Sequence, residues 1–78
     1  MAPFETPLER EIVTRMYKHA RAERVSQAEL AKAAGVTREA MSSYINGHRP
    51  IPFRVLLAAC DRLNLPFARL VEDAEGRG

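Results

Sequence analysis

The chain contains one cysteine, Cys60, so no disulfide can form within it and the stapled small folds of secreted proteins are excluded. Its N-terminus lacks the apolar stretch of a secretory signal, and the expected compartment is a reducing cytoplasm. The longest unbroken apolar run, Val55 to Cys60, is far short of the roughly 18 residues that span a bilayer, so no membrane partner is expected. Strand signals are missing, because β-branched residues are scattered and nowhere alternate over a useful length. There is no internal repeat and no low-complexity tract. His19, His48 and Cys60 stand apart on different predicted elements, whereas a metal needs several ligands at set spacings; no metal and no cofactor are expected. Paired carboxylates, a glycine-rich phosphate loop and a heme-attachment motif are absent. Cys60 falls on an apolar stripe, where it reads as a small hydrophobe, so the chain is not read as an enzyme and no small-molecule ligand is evident.

What is present fits one small folded domain. The 78 residues leave room for one modest core, and 46% apolar with 28% charged residues is a globular balance. The formal charge is +2, unevenly placed: residues 72–78 carry −2, which leaves +4 on the remainder. Positive potential on the folded part suits a nucleic-acid partner, and on charge alone suits an ordinary solvated surface equally well.

The remaining pattern is helices joined by short turns. Thr6-Pro7-Leu8-Glu9 combines a threonine N-cap, a proline at the first helical position and a glutamate closing a capping box. Leu8, Ile12, Met16 and Ala20 then recur every four residues and predict one inward face on a helix running to about Ala22. Ser26-Gln27-Ala28-Glu29 repeats the box and opens a short helix with Leu30, Ala31 and Ala34 inward, ending at Gly35, where glycine can take the left-handed conformation; Val36 drops an apolar side chain into the angle that follows. Thr37 caps a third helix running to about Asn46, with Ala40, Met41 and Tyr44 facing the core and Gly47 ending it. Pro50 and Pro52 define a turn. A fourth helix starts at Pro52 or Phe53, turns Leu56, Ala59, Cys60 and Leu63 inward, and ends at Asn64. Pro66 opens a fifth, Phe67 to about Asp73, which is too short to persist alone, so Phe67, Leu70 and Val71 must dock on the bundle or on a second subunit. The expected organisation is a flexible N-terminus (1–5), a helical domain (6–73) and a frayed C-terminus (74–78).

Two short capped helices joined by a Gly-Val turn, from Ser26 to Asn46, form the plan that sets the second helix across the first and exposes its N-terminal end. The run SQAELAKAAGVTREAMSSYINGHRPIP resembles the helix-turn-helix of the phage repressor and Cro family, also called Xre-like. Ser-Gln opening the second helix, Leu-Ala within it, Gly-Val at the turn, apolar Met41, aromatic Tyr44 and the Asn-Gly-His-Arg that follows carry the resemblance. It implies an all-α, compact five-helix bundle and sequence-specific binding of double-stranded DNA by a small transcriptional regulator, most simply a repressor, with the helix at Thr37–Asn46 in the major groove.

The resemblance also implies residue roles. Gln27 would reach a phosphate and brace the third helix, or simply be a solvated helix residue. Thr37 would contact a phosphate as well as cap. Bases would be read by Arg38, Glu39, Ser42 and Ser43. Arg38 suits guanine or a phosphate; Glu39 suits a cytosine amino group or only the helix dipole; the short serines would work through water. Asn46, His48 and Arg49 follow where the family touches the sugar-phosphate backbone, although Asn46 is an equally good cap. Tyr44 is read as core. Ile45 departs from the common polar residue and would pack on Ile51 or Phe53, or else belong to an exposed interaction patch. A single module binds weakly, so a homodimer on a two-fold operator is expected, with Phe67, Leu70 and Val71 as its interface. The alternative is a protein-interaction module of the same fold without DNA binding.

Overall fold

The computed structural model describes residues 6–76. The expectation of a flexible segment over 1–5 lies outside the described residues, as do the final residues 77–78. Five helices follow one another without a strand among the described residues: α1 (Pro7–Ala22), α2 (Gln27–Ala34), α3 (Arg38–Ile45), α4 (Phe53–Arg62) and α5 (Phe67–Ala74). None is long and apolar enough to cross a membrane.

The helix starts are those written in the sequence. The Thr6 hydroxyl accepts from the Glu9 N–H (3.1 Å) while the Glu9 carboxylate accepts from the Thr6 N–H (2.8 Å). Ser26 and Glu29 repeat the reciprocal pair, both bonds at 3.1 Å. Each box satisfies two of the backbone donors that a helix start leaves orphaned.

Most of the ends share one device. A residue with positive φ turns the chain out of the helix, and the next residue's N–H bonds back to a carbonyl five residues earlier. Gly35 has φ +71, and the Val36 N–H donates to the Ala31 carbonyl at 3.0 Å. Arg24 (φ +60) with Val25, and Asn64 (φ +53) with Leu65, close α1 and α4 alike, the returning N–H meeting Ala20 at 2.8 Å and Cys60 at 2.9 Å. In all three the returning residue is apolar and packs on the core. At α3 the left-handed residue is Gly47 (φ +80), but the returning residue is His48, which is exposed (2.9 Å to the Ser43 carbonyl). The end of α3 is thus the one of these four turns that is not plugged into the interior.

Packing follows from the apolar stripes. Met16, Leu30, Met41, Val13 and Val55 are the largest fully buried side chains, and no polar residue is buried among the described ones. α2 and α4 run antiparallel and are tied at both ends. Arg54, in the first turn of α4, donates to the Ala34 carbonyl at the end of α2 (3.2 Å), and Arg62, at the end of α4, pairs with Glu29 in the first turn of α2 (3.0 Å). α3 lies across α2, and α5 packs on α1.

Several expectations are corrected. Leu8 is 38% exposed, because it sits in the first turn of α1 beyond the reach of the core, and Val13 takes its place inside. Val55 is likewise core, on the helix face that turns to α2. Ile45 is buried with Met41 and Tyr44, which removes the exposed-patch reading. Leu70 is buried in the core of its own chain, whereas Phe67 and Val71 are half-buried. The fifth helix extends through Ala74, one residue past the expected end, where the Glu75 N–H donates to the Val71 carbonyl (2.9 Å) and Gly76 follows with φ +79.

An ideal Cβ on Gly35 meets nothing within 4 Å, so the site tests backbone conformation alone. Gly35→Ala is expected to destabilise by about 1–2 kcal/mol, and Gly35→Asn by clearly less, because asparagine tolerates the left-handed region; urea unfolding measures both. Equal losses would show that something other than φ demands glycine here.

Candidate nucleic-acid interface

The exposed side of α3 is what remains after Met41, Tyr44 and Ile45 turn inward. At roughly 100° per residue, Glu39, Ser42, Ser43 and Asn46 fall on the opposite side, while Arg38 lies on the flank beside Ile45 and is exposed in the first turn of the helix. Arg38 and Glu39 are exposed, while Ser42 and Ser43 are half-buried. Gln27, Arg38, Glu39 and Ser42 line one open groove of about 350 Å³ where the start of α2 meets the outer side of α3. Four residues picked from two stretches of sequence are therefore neighbours.

Each is positioned by identifiable contacts. The Thr37 hydroxyl accepts from the Ala40 N–H at 3.0 Å and fixes the start of α3. Helix geometry leaves the Arg38 and Glu39 N–H groups without intrahelical acceptors, and they point out of the helix start, where an anion can meet them. Gln27 is half-buried and donates through Nε2 to the Tyr17 hydroxyl of α1 at 3.2 Å. Asn46 caps α3 through its backbone, and its Nδ2 donates to the Ser42 hydroxyl at 3.2 Å, so Ser42 is held rather than free to rotate. Arg49 lies over the Tyr44 ring, 5.2 Å from its centroid, and its N–H donates to the Ser43 carbonyl at 3.3 Å. His48 beside it is exposed. Phe67 lies away from this groove, against Phe53 in an edge-to-face pair with centroids 5.2 Å apart.

Sequence reasoning missed the side chains that hold this surface from behind. The Arg10 guanidinium donates to the Ile45 carbonyl at the end of α3, and Tyr17 holds Gln27. Both lie on α1, seven residues apart on one side of the helix, a spacing that does not by itself indicate either partner. Glu29 is held below the ordinary carboxylate value, first by the Ser26 N–H, then by the Ser26 hydroxyl and by Arg62. The stability it lends is present above that ordinary value and is lost as pH falls through the depressed one.

Among the described residues no cluster of three or more His, Cys, Asp or Glu could hold a metal. Burial pushes the Cys60 thiol up to about 11.

A helix-turn-helix family model matches residues 19–70, two thirds of the chain. The chain has the fold of a DNA-binding transcription regulator. It belongs to the Xre/Cro-like helix-turn-helix family. Neither the curated proteins nor the solved structures give a significant match.

The Cys60 value carries a sign that can be checked. The unfolded thiol ionises near 9.0 and the folded one near 11, so stability is full below about pH 9 and falls as pH rises towards 11. At pH 8 a disulfide reagent should react about a hundredfold more slowly with the folded chain than with the chain in denaturant, from the thiolate fraction alone. Equal rates would mean that Cys60 is neither buried nor inert.

Proposed function

We propose that the chain binds double-stranded DNA sequence-specifically as a small transcriptional repressor, with α3 in the major groove. The single observation that carries this reading is the groove shared by Gln27, Arg38, Glu39 and Ser42, because it puts a cation, a carboxylate, an amide and a hydroxyl side by side on the exposed side of a helix. Arg38 and Glu39 read base edges, the first with donors that fit guanine and the second as an acceptor for cytosine. Ser42 and Ser43 add short contacts through water; the half-burial of both supports a supporting role beside Arg38. Gln27, Thr37, Asn46, His48 and Arg49 hold the sugar-phosphate backbone. The stacking of Arg49 on Tyr44 supports this, since it holds the guanidinium close to the end of α3 without consuming its hydrogen-bond donors.

Two copies act together on a two-fold operator, their α3 helices about 34 Å apart. With Leu70 buried in its own chain, Phe67 and Val71 remain as the contact, joined by Phe53, which is 60% exposed and meets Phe67 edge-to-face. The burial of Ile45 removes the observation that favoured a partner-binding module over a DNA reader.

Selection from a random duplex pool tests the reading, and a preferred half-site repeated with two-fold symmetry is expected. Binding should weaken with salt at a log-log slope of about −0.9 per phosphate neutralised; a flat salt response, or no binding at low salt, would sink the proposal. Arg38→Ala should relax sequence preference, whereas Arg49→Ala should weaken selected and random duplexes alike. If both substitutions reduce binding to the two kinds of DNA equally, Arg38 contacts the backbone. Sedimentation showing only monomer, with and without DNA, would remove the dimer.

A further inference from the structure

We propose that Arg10 is a positioning residue for sequence discrimination: by holding the last carbonyl of α3 it fixes the tilt of that helix and the course of the chain through His48 and Arg49, without itself touching DNA. This rests on the reading of α3 as the DNA-contacting helix.

A helix leaves its last four carbonyls without intrahelical partners. At the end of α3 the chain that follows takes three of them. The Asn46 N–H donates to Ser42 (2.9 Å), the Gly47 N–H to Tyr44 (3.2 Å), and the His48 and Arg49 N–H groups both donate to Ser43 (2.9 and 3.3 Å). The fourth carbonyl, Ile45, accepts instead from the guanidinium of Arg10 on α1. A charged donor at the negative end of a helix makes one of the stronger hydrogen bonds available to a protein. Arg10 is itself aimed, because its Nε donates to Thr14 Oγ1, one turn along α1, at 3.4 Å.

The first half of α1 grips the same stretch a second time. Ile51 lines a small apolar depression of about 170 Å³ with Ile12 and Val13 of α1 and Leu56 of α4. His48 and Arg49 therefore lie between two holds, the Ile45 carbonyl and the Ile51 side chain, in the turn that has no apolar plug of its own. Arg10, Ile12 and Val13 all precede residue 19, where the match to the helix-turn-helix family model begins, so this hold comes from outside the matched stretch. Without the guanidinium the Ile45 carbonyl loses its donor and the end of α3 gains freedom to shift. Phosphates repeat along a duplex and tolerate such a shift, whereas base edges are read in one register, so the loss falls on discrimination.

The test compares wild type with Arg10→Gln and with Arg15→Gln, which removes a cation of the same helix that pairs with Glu11 and has no hold on α3. Arg10→Gln should bind the selected duplex about tenfold more weakly and a random duplex with little loss, at the salt slope of wild type. Arg15→Gln should keep the wild-type ratio between the two duplexes. In the free protein, amide exchange at His48 and Arg49 should quicken in Arg10→Gln relative to exchange at Val36, whose turn Arg10 does not touch. If Arg10→Gln keeps the wild-type ratio, or loses it with exchange at His48 and Arg49 unchanged, the proposal is overturned while the α3 reading stands. Equal weakening on both duplexes with a slope shallower by about 0.9 would make Arg10 a phosphate contact and overturns it too. If wild type binds no duplex, both fail together. Arg10→Lys keeps the cation without the planar fork and should give an intermediate ratio; if Arg10→Gln does not fold, a wild-type ratio in Arg10→Lys overturns the proposal.

Discussion

The candidate contact surface of this protein depends on one backbone conformation, the left-handed turn at Gly35. It ends α2, returns the Val36 N–H to the Ala31 carbonyl and puts Val36 against the core, which leaves Thr37 where it can cap α3. A turn this short has few alternative paths, so the crossing of α3 over α2 follows from it. That crossing is useful only if α2 is itself fixed. α4 supplies this by bonding α2 at both ends, through Arg54 on the Ala34 carbonyl and Arg62 on Glu29. The apolar stripe between them carries most of the energy, since exposed ion pairs are worth little individually; the polar ties set the register in which the stripe packs.

The positive charge of the chain divides into two populations that composition does not distinguish. One neutralises helix ends and carboxylates: Arg10 at the end of α3, Arg54 at the end of α2, Arg15 and Arg62 on glutamates. These groups hold the scaffold and leave little field for a partner. The other, with Lys18, Arg21 and Arg38 among its members, stands exposed. A modest net charge of +2 can therefore coexist with exposed cations that have no carboxylate partner, because the acidic groups are taken up by other cations of the scaffold.

Legibility in the sequence tracks how local each determinant is. The capping boxes at Thr6 and Ser26 and the glycine turn at Gly35 rely on residues three or four apart, and each stands as expected. The helix end at Arg24 was harder to see, because a left-handed residue without glycine has no signature of its own; the signal there was Val25, whose apolar side chain must return to the core. Leu8 and Val13 exchanged roles because a four-residue period drifts around a helix of 3.6 residues per turn, so it chooses the wrong residue at one end of a sixteen-residue helix. For the candidate site, the exposed side of α3 was legible from its apolar complement. The hold of Tyr17 on Gln27 and of Arg10 on Ile45 joins residues ten and thirty-five apart, and no local pattern encodes such pairs.

The exposed end of α3 gives the fold its polarity. Where α1, α2 and α4 close with Val25, Val36 and Leu65 packed inward, α3 closes with His48, and Arg49 then lies back over Tyr44. An apolar residue at position 48 would let the turn dock as the other three do and would draw Arg49 away from the surface. The polar residue keeps the chain after Gly47 outside, where Asn46, His48 and Arg49 form a rim at one end of α3 while Gln27 and Thr37 form a rim at the other. Arg38 and Glu39 stand between polar rims built by different turns. A helix held at both ends in this way presents its outer side in one orientation, which any recognition of a groove requires, and among the described residues no charged or amide side chain is buried behind it to compete for those side chains.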